Sequence, residues 1–183
     1  IGRLRLGAIA VTVMLFVQLA LGASMRHSHT GLSIPDFPTV YGGFFPPLDA
    51  TSIGRINEGR AVTQSTPPIS SGLILLQYVH RVWAVLIVVS LSSVAMGILR
   101  NRQIPAPARS VAKAWIALVF MQFALGAWTI WSNKAADIAT SHVFVGALIL
   151  MIGVLLSVVL SAMLPSTPPE DVSATLRKEV ARA

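Results

Sequence analysis

Four runs of predominantly apolar residues, at about 6–25, 71–99, 111–131 and 138–164, constrain this chain more than any other feature of its sequence. Each is long enough to cross a hydrocarbon core, which takes about 20 residues of helix at a rise of about 1.5 Å per residue. None contains an acidic residue. Backbone N–H and C=O groups surrounded by lipid must find partners within the segment, so runs of this length form helices. The expected fold class is all-α: an integral membrane four-helix bundle embedded in the lipid bilayer. Charged residues make up 11% of the chain, against about 25% in ordinary soluble domains, which excludes the soluble globular class.

The net charge of +7 raises the question of nucleic acid, and the distribution of the charges assigns it to membrane topology instead. Arg3 and Arg5 precede the first span. Arg100, Arg102, Arg109 and Lys113 lie between the second and third, and Arg177, Lys178 and Arg182 follow the fourth. The opposite side carries Arg26, Arg55, Arg60 and Lys134, balanced by Asp36, Asp49, Glu58 and Asp137. By the positive-inside rule both termini are expected on the cytoplasmic side of the cell inner (plasma) membrane, with residues 26–70 forming a long outer loop and 165–183 a cytoplasmic tail. The first span, at about 20 residues, exceeds the 7–15-residue core of a signal peptide. With no cysteine in the chain, disulfides, thiolate metal sites and cysteine nucleophiles are excluded.

An internal repeat organises the spans. The first reads Gln18-Leu19-Ala20-Leu21-Gly22-Ala23 and the third Gln122-Phe123-Ala124-Leu125-Gly126-Ala127, identical at five of six positions. The span after each copy carries a histidine, His80 in the second and His142 in the fourth. The bundle is therefore a duplicated two-helix unit, with a Gln and a Gly on the first helix and a His on the second. Helices one and three run the same way, as do two and four, so the copies are related by a pseudo-twofold axis along the membrane normal. His80 and His142 are then expected to face each other. Arg100 follows His80 by twenty residues and Pro165 follows His142 by twenty-three, which places both imidazoles about 30–35 Å from the inner boundary. Within the outer loop, the aromatics Phe37, Tyr41, Phe44 and Phe45 are interleaved with Pro35, Pro38, Pro46 and Pro47, a mixture expected to pack as a cap over the outer mouth.

Two neutral imidazoles facing across a bundle, with neither cysteine nor carboxylate at their depth, match bis-histidine ligation of heme iron. Zinc would need a third or fourth protein ligand. Arg81 beside His80 is the one cation well inside a span, which marks it as functional, and a heme propionate is a fitting partner; the alternative is an arginine that snorkels to the interface. Gln77, one turn from His80 on the same face, is a candidate lining residue. Gly146 and Ala84, one turn inward of the two histidines, leave room for a flat macrocycle. Gln18 and Gln122 read as interhelical hydrogen-bonding amides, and His27 and His29 as solvated loop histidines. Trp83, Trp115, Trp128 and Trp131 read as core or interfacial anchors.

The stretch from Leu21 to Pro38, with Arg26-His27-Ser28-His29-Thr30-Gly31 at its centre, then His80-Arg81, Gly126-Ala127-Trp128-Thr129, Ala139-Thr140-Ser141-His142 and Gly146-Ala147-Leu148, resembles heme A synthase over essentially the whole chain. The resemblance implies an oxidoreductase of heme A biosynthesis that converts the C8 methyl of heme O to formyl, in support of cytochrome oxidase assembly. It also implies two four-helix bundles in tandem, one taking heme O and the other holding heme b through paired histidines, for which His80 and His142 are the matching positions. The substrate-side bundle of that family has a glutamate where this chain has Gln77, and many members have a cysteine pair where this chain has Ile34 and Val40. With the start at Ile1 rather than Met, these departures point to the C-terminal, heme b-binding half, with a second four-helix half and an electron donor or acceptor as partners. A free-standing bis-histidine membrane cytochrome, or a heme-free structural or transport bundle, are the alternatives.

Overall fold

In the computed structural model, which describes residues 1–28, 30–63 and 68–164, each apolar run is one uninterrupted helix. These are α1 (Gly2–His27), α3 (Ser71–Arg100), α4 (Ala106–Trp131) and α5 (Ala136–Ala162), all long and apolar enough to cross a membrane. They extend past the apolar runs because hydrogen bonding continues through the polar flanks: α1 takes in Arg3 and Arg5, and α4 begins at Pro105 and Pro107, where a missing N–H costs nothing. The fourth run ends two residues earlier than its hydropathy implied, at Ala162. His29 and the 165–183 tail lie outside the described residues.

A fifth helix, α2 (Ala50–Thr63), lies within the outer loop. Its sequence carries Gly54, Gly59 and few apolar residues, so it has no periodic signature to read. The start is set by a cap, the Asp49 carboxylate accepting the Ser52 N–H at 2.9 Å. Ile53 and Ile56 then pack on a small apolar cluster of Ile34, Val40, Ile69 and Ile74. The two positions where the resemblance places cysteines are thus held by apolar packing instead.

Each long helix packs on two others: α1 on α3 and α5, and α4 on the same two. The diagonals of the bundle are α1 with α4 and α3 with α5, the arrangement a pseudo-twofold between the two helix pairs requires. Contacts run antiparallel along each interface. On α1 and α3, Leu4 meets Gly97 and Gly22 meets His80; on α1 and α5, Thr12 meets Gly153 and Leu19 meets Gly146. The core between them is built from Val11, Leu15, Leu91, Trp115, Ile149 and Leu156, with Trp115 fully buried and its indole N–H donated to the Ile149 carbonyl at 2.9 Å. Gly153 is required at this point, because an added Cβ would lie 2.6 Å from Thr12 Oγ1 and 3.2 Å from the Trp115 ring. Phe16, Phe144, Met151 and Val158 point outward and are 60–65% exposed, which suits a lipid-facing surface.

The first part of the outer loop folds over one end of the bundle. Asp36 organises it, its carboxylate accepting the Thr39 hydroxyl at 2.6 Å, the Tyr41 N–H at 2.8 Å and the Gly42 N–H at 2.9 Å. These bonds let Tyr41 and Gly42 adopt positive φ, and Val40 and Gly43 close the turn through a reciprocal backbone pair. Phe37 stacks edge-on against Phe123 and Trp131 at the outer end of α4, and the Tyr41 hydroxyl donates to the Ser33 carbonyl.

Burial raises the pKa of Asp36, but the three donated hydrogen bonds outweigh it and hold the carboxyl below 3.8. A group with a depressed folded pKa contributes stability that is complete above its unfolded value and is lost as pH falls through the folded one. The amide shifts of Tyr41 and Gly42 are therefore expected to stay constant through the ordinary carboxylate range and to move only in more acidic solution, as read by NMR in detergent. A transition near pH 5 would show that Asp36 is not the organiser.

Candidate functional site

The repeat brings the same two residues together in each half of the bundle. In the α1–α3 pair, the imidazole of His80 lies over Gly22, whose added Cβ would stand 3.4 Å from Cε1. In the α4–α5 pair, His142 lies over Gly126, where the same distance is 3.1 Å. At Gly126 the bare backbone is what admits the ring, whereas at Gly22 an added Cβ would make ordinary van der Waals contact with it. His80 precedes the last residue of α3, Arg100, by twenty residues, and His142 precedes the last residue of α5, Ala162, by twenty as well. Since α3 and α5 are the diagonal pair, the two imidazoles come from opposite sides of the bundle at one level.

Both rings are left incompletely bonded. Among the described residues, the Nδ1 atoms of His80 and His142 are buried without a hydrogen-bond partner, and so are the Oε1 atoms of Gln18 and Gln122. The same four atoms in the two copies of the repeat form a polar level inside an otherwise apolar bundle. Among the described residues there is no grouping of three or more His, Cys, Asp or Glu side chains able to hold a metal ion, so the donor set at this level is the histidine pair.

The copies differ in their glutamines. Gln18 Nε2 lies 3.2 Å from His80 Nε2 and 3.1 Å from the His80 carbonyl oxygen. Gln122 instead places its amide nitrogen against Gly146, 3.0 Å from where a Cβ would be. Gly146 therefore gives its space to a glutamine.

Gln77 and Arg81, both beside His80, are turned toward the cap. The Gln77 carbonyl accepts the Ile34 N–H at 2.7 Å, and its amide nitrogen donates to the carbonyls of Gly31 and Ile34, each at 3.3 Å. Its hydrogen-bonding capacity at both ends of the amide is engaged there. Arg81 donates to the Thr39 and Ile34 carbonyls at 3.0 Å each, and its guanidinium carbon lies 5.6 Å from the centre of the Phe37 ring. Its Nε is buried without a partner. Two residues flanking a histidine thus tie the outer loop to α3 across more than 40 positions of sequence.

Other sequence candidates fall elsewhere. His27 is exposed at the end of α1, Trp83 donates its indole N–H to the Met14 carbonyl at 3.0 Å, and Trp128 and Trp131 stand exposed at the outer end of α4. The cap contacts of Gln77 and Arg81 had no signal in the sequence, because neither the Asp36 turn nor the backbone carbonyls it presents can be placed from residue types alone.

Comparison with known proteins identifies a family. A family model described as "Cytochrome oxidase assembly protein", COX15-CtaA, matches residues 1–154. Among curated proteins, the chain is similar to heme A synthase of Caulobacter vibrioides, 27% identical over 74% of this chain and 36% of the relative. It is also similar to the heme A synthases of Rhizorhabdus wittichii, 29% identical over 78% of this chain and 37% of the relative, and of Sphingopyxis alaskensis, 29% identical over 82% and 38%. The chain spans well under half the length of these relatives. No solved structure matches. With a match that covers three of the long helices, most of α5 and both histidines, the chain belongs to the COX15-CtaA family of cytochrome oxidase assembly proteins.

Proposed function

We propose that this chain is the heme b-binding half of a heme A synthase, holding the iron between His80 and His142 and serving the oxidation of heme O to heme A carried out with a second four-helix half. The observation that carries the reading is the pair of imidazoles at one level on diagonal helices, each over a glycine of its own repeat. The two imidazoles would hold the iron of a heme, a group that draws its remaining ligands from its own macrocycle and so asks few donors of the protein. The buried, unpartnered polar atoms at that level fit a site whose partner is a bound group.

His80 and His142 would hold the heme, which would supply one-electron transfer, and the substrate oxidation would take place in the second half. The chain's own residues do the rest. Arg81, anchored to the cap through two donors, keeps its Nε and further N–H groups for a propionate. Gln77 acts on the site through the cap it holds rather than through free amide groups of its own. The apolar bundle lowers the dielectric around the iron, and the cap limits water at the outer mouth.

The membrane is the bacterial inner (plasma) membrane in this reading, as the organisms of the similar heme A synthases imply. The end of the bundle bearing Arg3, Arg5, Arg100 and Arg102 is cytoplasmic, and residues 1–164 form one bundle followed by the 165–183 tail. Heme O reaches the second half, and an electron donor or acceptor meets this one. The test is a reduced-minus-oxidised spectrum with pyridine hemochrome analysis of the purified chain. The expected result is a low-spin b-type spectrum with sharp reduced α and β bands. A protein that takes up no heme, or only high-spin heme, would contradict the proposal.

A further inference from the structure

We infer that Gln18 is a tautomer-setting and competing partner of His80, so that the His80 side of the site is the releasable one and the His142 side the permanent one. The inference rests on the bis-histidine reading above and concerns what this chain's own residues do at one of the two donors.

Gln18 Nε2 approaches two atoms of the same residue, the His80 carbonyl oxygen at 3.1 Å and the His80 ring Nε2 at 3.2 Å. A carbonyl oxygen only accepts, which fixes this end of the amide as the NH2 group rather than the oxygen. An amide NH2 only donates. The ring atom it meets must then be the acceptor, so His80 carries its proton on Nδ1 and presents a lone pair on Nε2. The buried Nδ1 finds no partner of its own, so the tautomer is set entirely by Gln18. That tautomer is the one an imidazole needs to bind a metal through Nε2.

The same contact opposes the bond it prepares. One lone pair cannot serve both the Gln18 N–H and iron, so binding at Nε2 breaks this hydrogen bond, and releasing Nε2 restores it. Among the described residues no side-chain amide bonds the His142 ring in this way: the amide nitrogen of Gln122, the residue that matches Gln18 in the repeat, lies against Gly146. Two halves that share the same Gln, Gly and His therefore hold their histidines differently. The released state of His80 is stabilised by a part-buried hydrogen bond to Gln18.

Carbon monoxide reports which axial bond opens, because on ferrous heme it replaces an axial imidazole. The experiment uses the full chain in detergent, reconstituted with iron protoporphyrin IX, and titrates CO by its Soret shift in wild type, Gln18→Leu and Gln122→Leu. The expected result is a CO affinity about tenfold weaker in Gln18→Leu, the scale of one buried hydrogen bond, and within about twofold of wild type in Gln122→Leu. Should the branched side chain prevent folding, Gln18→Met removes the donor at the same length. An unchanged affinity in the Gln18 variants, or an equal change in Gln122→Leu, overturns the inference while a low-spin wild-type spectrum leaves the bis-histidine reading standing. A wild-type chain without low-spin heme overturns both.

Discussion

Replacing either His80 or His142 with alanine is expected to abolish the low-spin spectrum while leaving the helical circular dichroism unchanged. The two parts of the expectation have separate causes. Each imidazole is one of only two protein donors at its level, on opposite sides of the bundle, and no neighbouring His, Cys, Asp or Glu among the described residues can replace it. Residues that merely orient a metal ligand are worth about 10–100-fold in affinity, so loss of the ligand itself costs more than about a hundredfold. The bundle, by contrast, is held by an apolar core that includes Leu91, Trp115, Ile149 and Leu156, and by close helix approach at Gly153. His27→Ala, at an exposed helix end, keeps the spectrum. Wild-type bands in both core variants would refute the ligand assignment.

Gln77→Leu and Gln77→Glu are both expected to release the cap, with cleavage between residues 30 and 43 accelerated by more than about tenfold in limited proteolysis. Leucine leaves the Ile34 N–H and the carbonyls of Gly31 and Ile34 without their partner in a site where Gln77 is 2% exposed. Each buried group left unsatisfied costs about 1–3 kcal/mol, and the bonds to Arg81 secure only two carbonyls of the same loop. Glutamate is the instructive case. It keeps the acceptor for the Ile34 N–H but sets a second carboxylate oxygen against two backbone carbonyls, where the amide had donated. The carboxylate that the heme A synthase resemblance puts at this position is therefore incompatible with the cap as built here, and the amide is part of what makes the cap rigid. Protection equal to wild type in both variants would show that Arg81 and the Asp36 turn hold the loop without Gln77.

The two predictions address different levels of the molecule. The histidines belong to the repeat, and the repeat is a linear pattern. Gln77 belongs to the junction between a helix and a loop more than 40 residues away, where one side chain meets three backbone groups. The same contrast separates Gly22 and Gly126, which could be paired with their histidines from the aligned repeats, from Gly146, whose space is taken by Gln122 rather than kept open.

What the sequence determined by itself was the set of features written in local periodicity and local composition: four spans, their alternation, the duplicated pair, and the common depth of His80 and His142. Hydrophobic length and charge are additive along a chain, so they survive without coordinates. Only the tertiary structure decided that Gln77 and Arg81 turn to the cap, that a short polar helix caps itself on Asp49, and that Gln18 meets His80 while Gln122 does not meet His142 in the same way. Each of these depends on where a donor stands relative to one particular acceptor, to within a few tenths of an ångström. Such a position is set by the packing of whole helices against one another, and no residue type or spacing specifies it in advance.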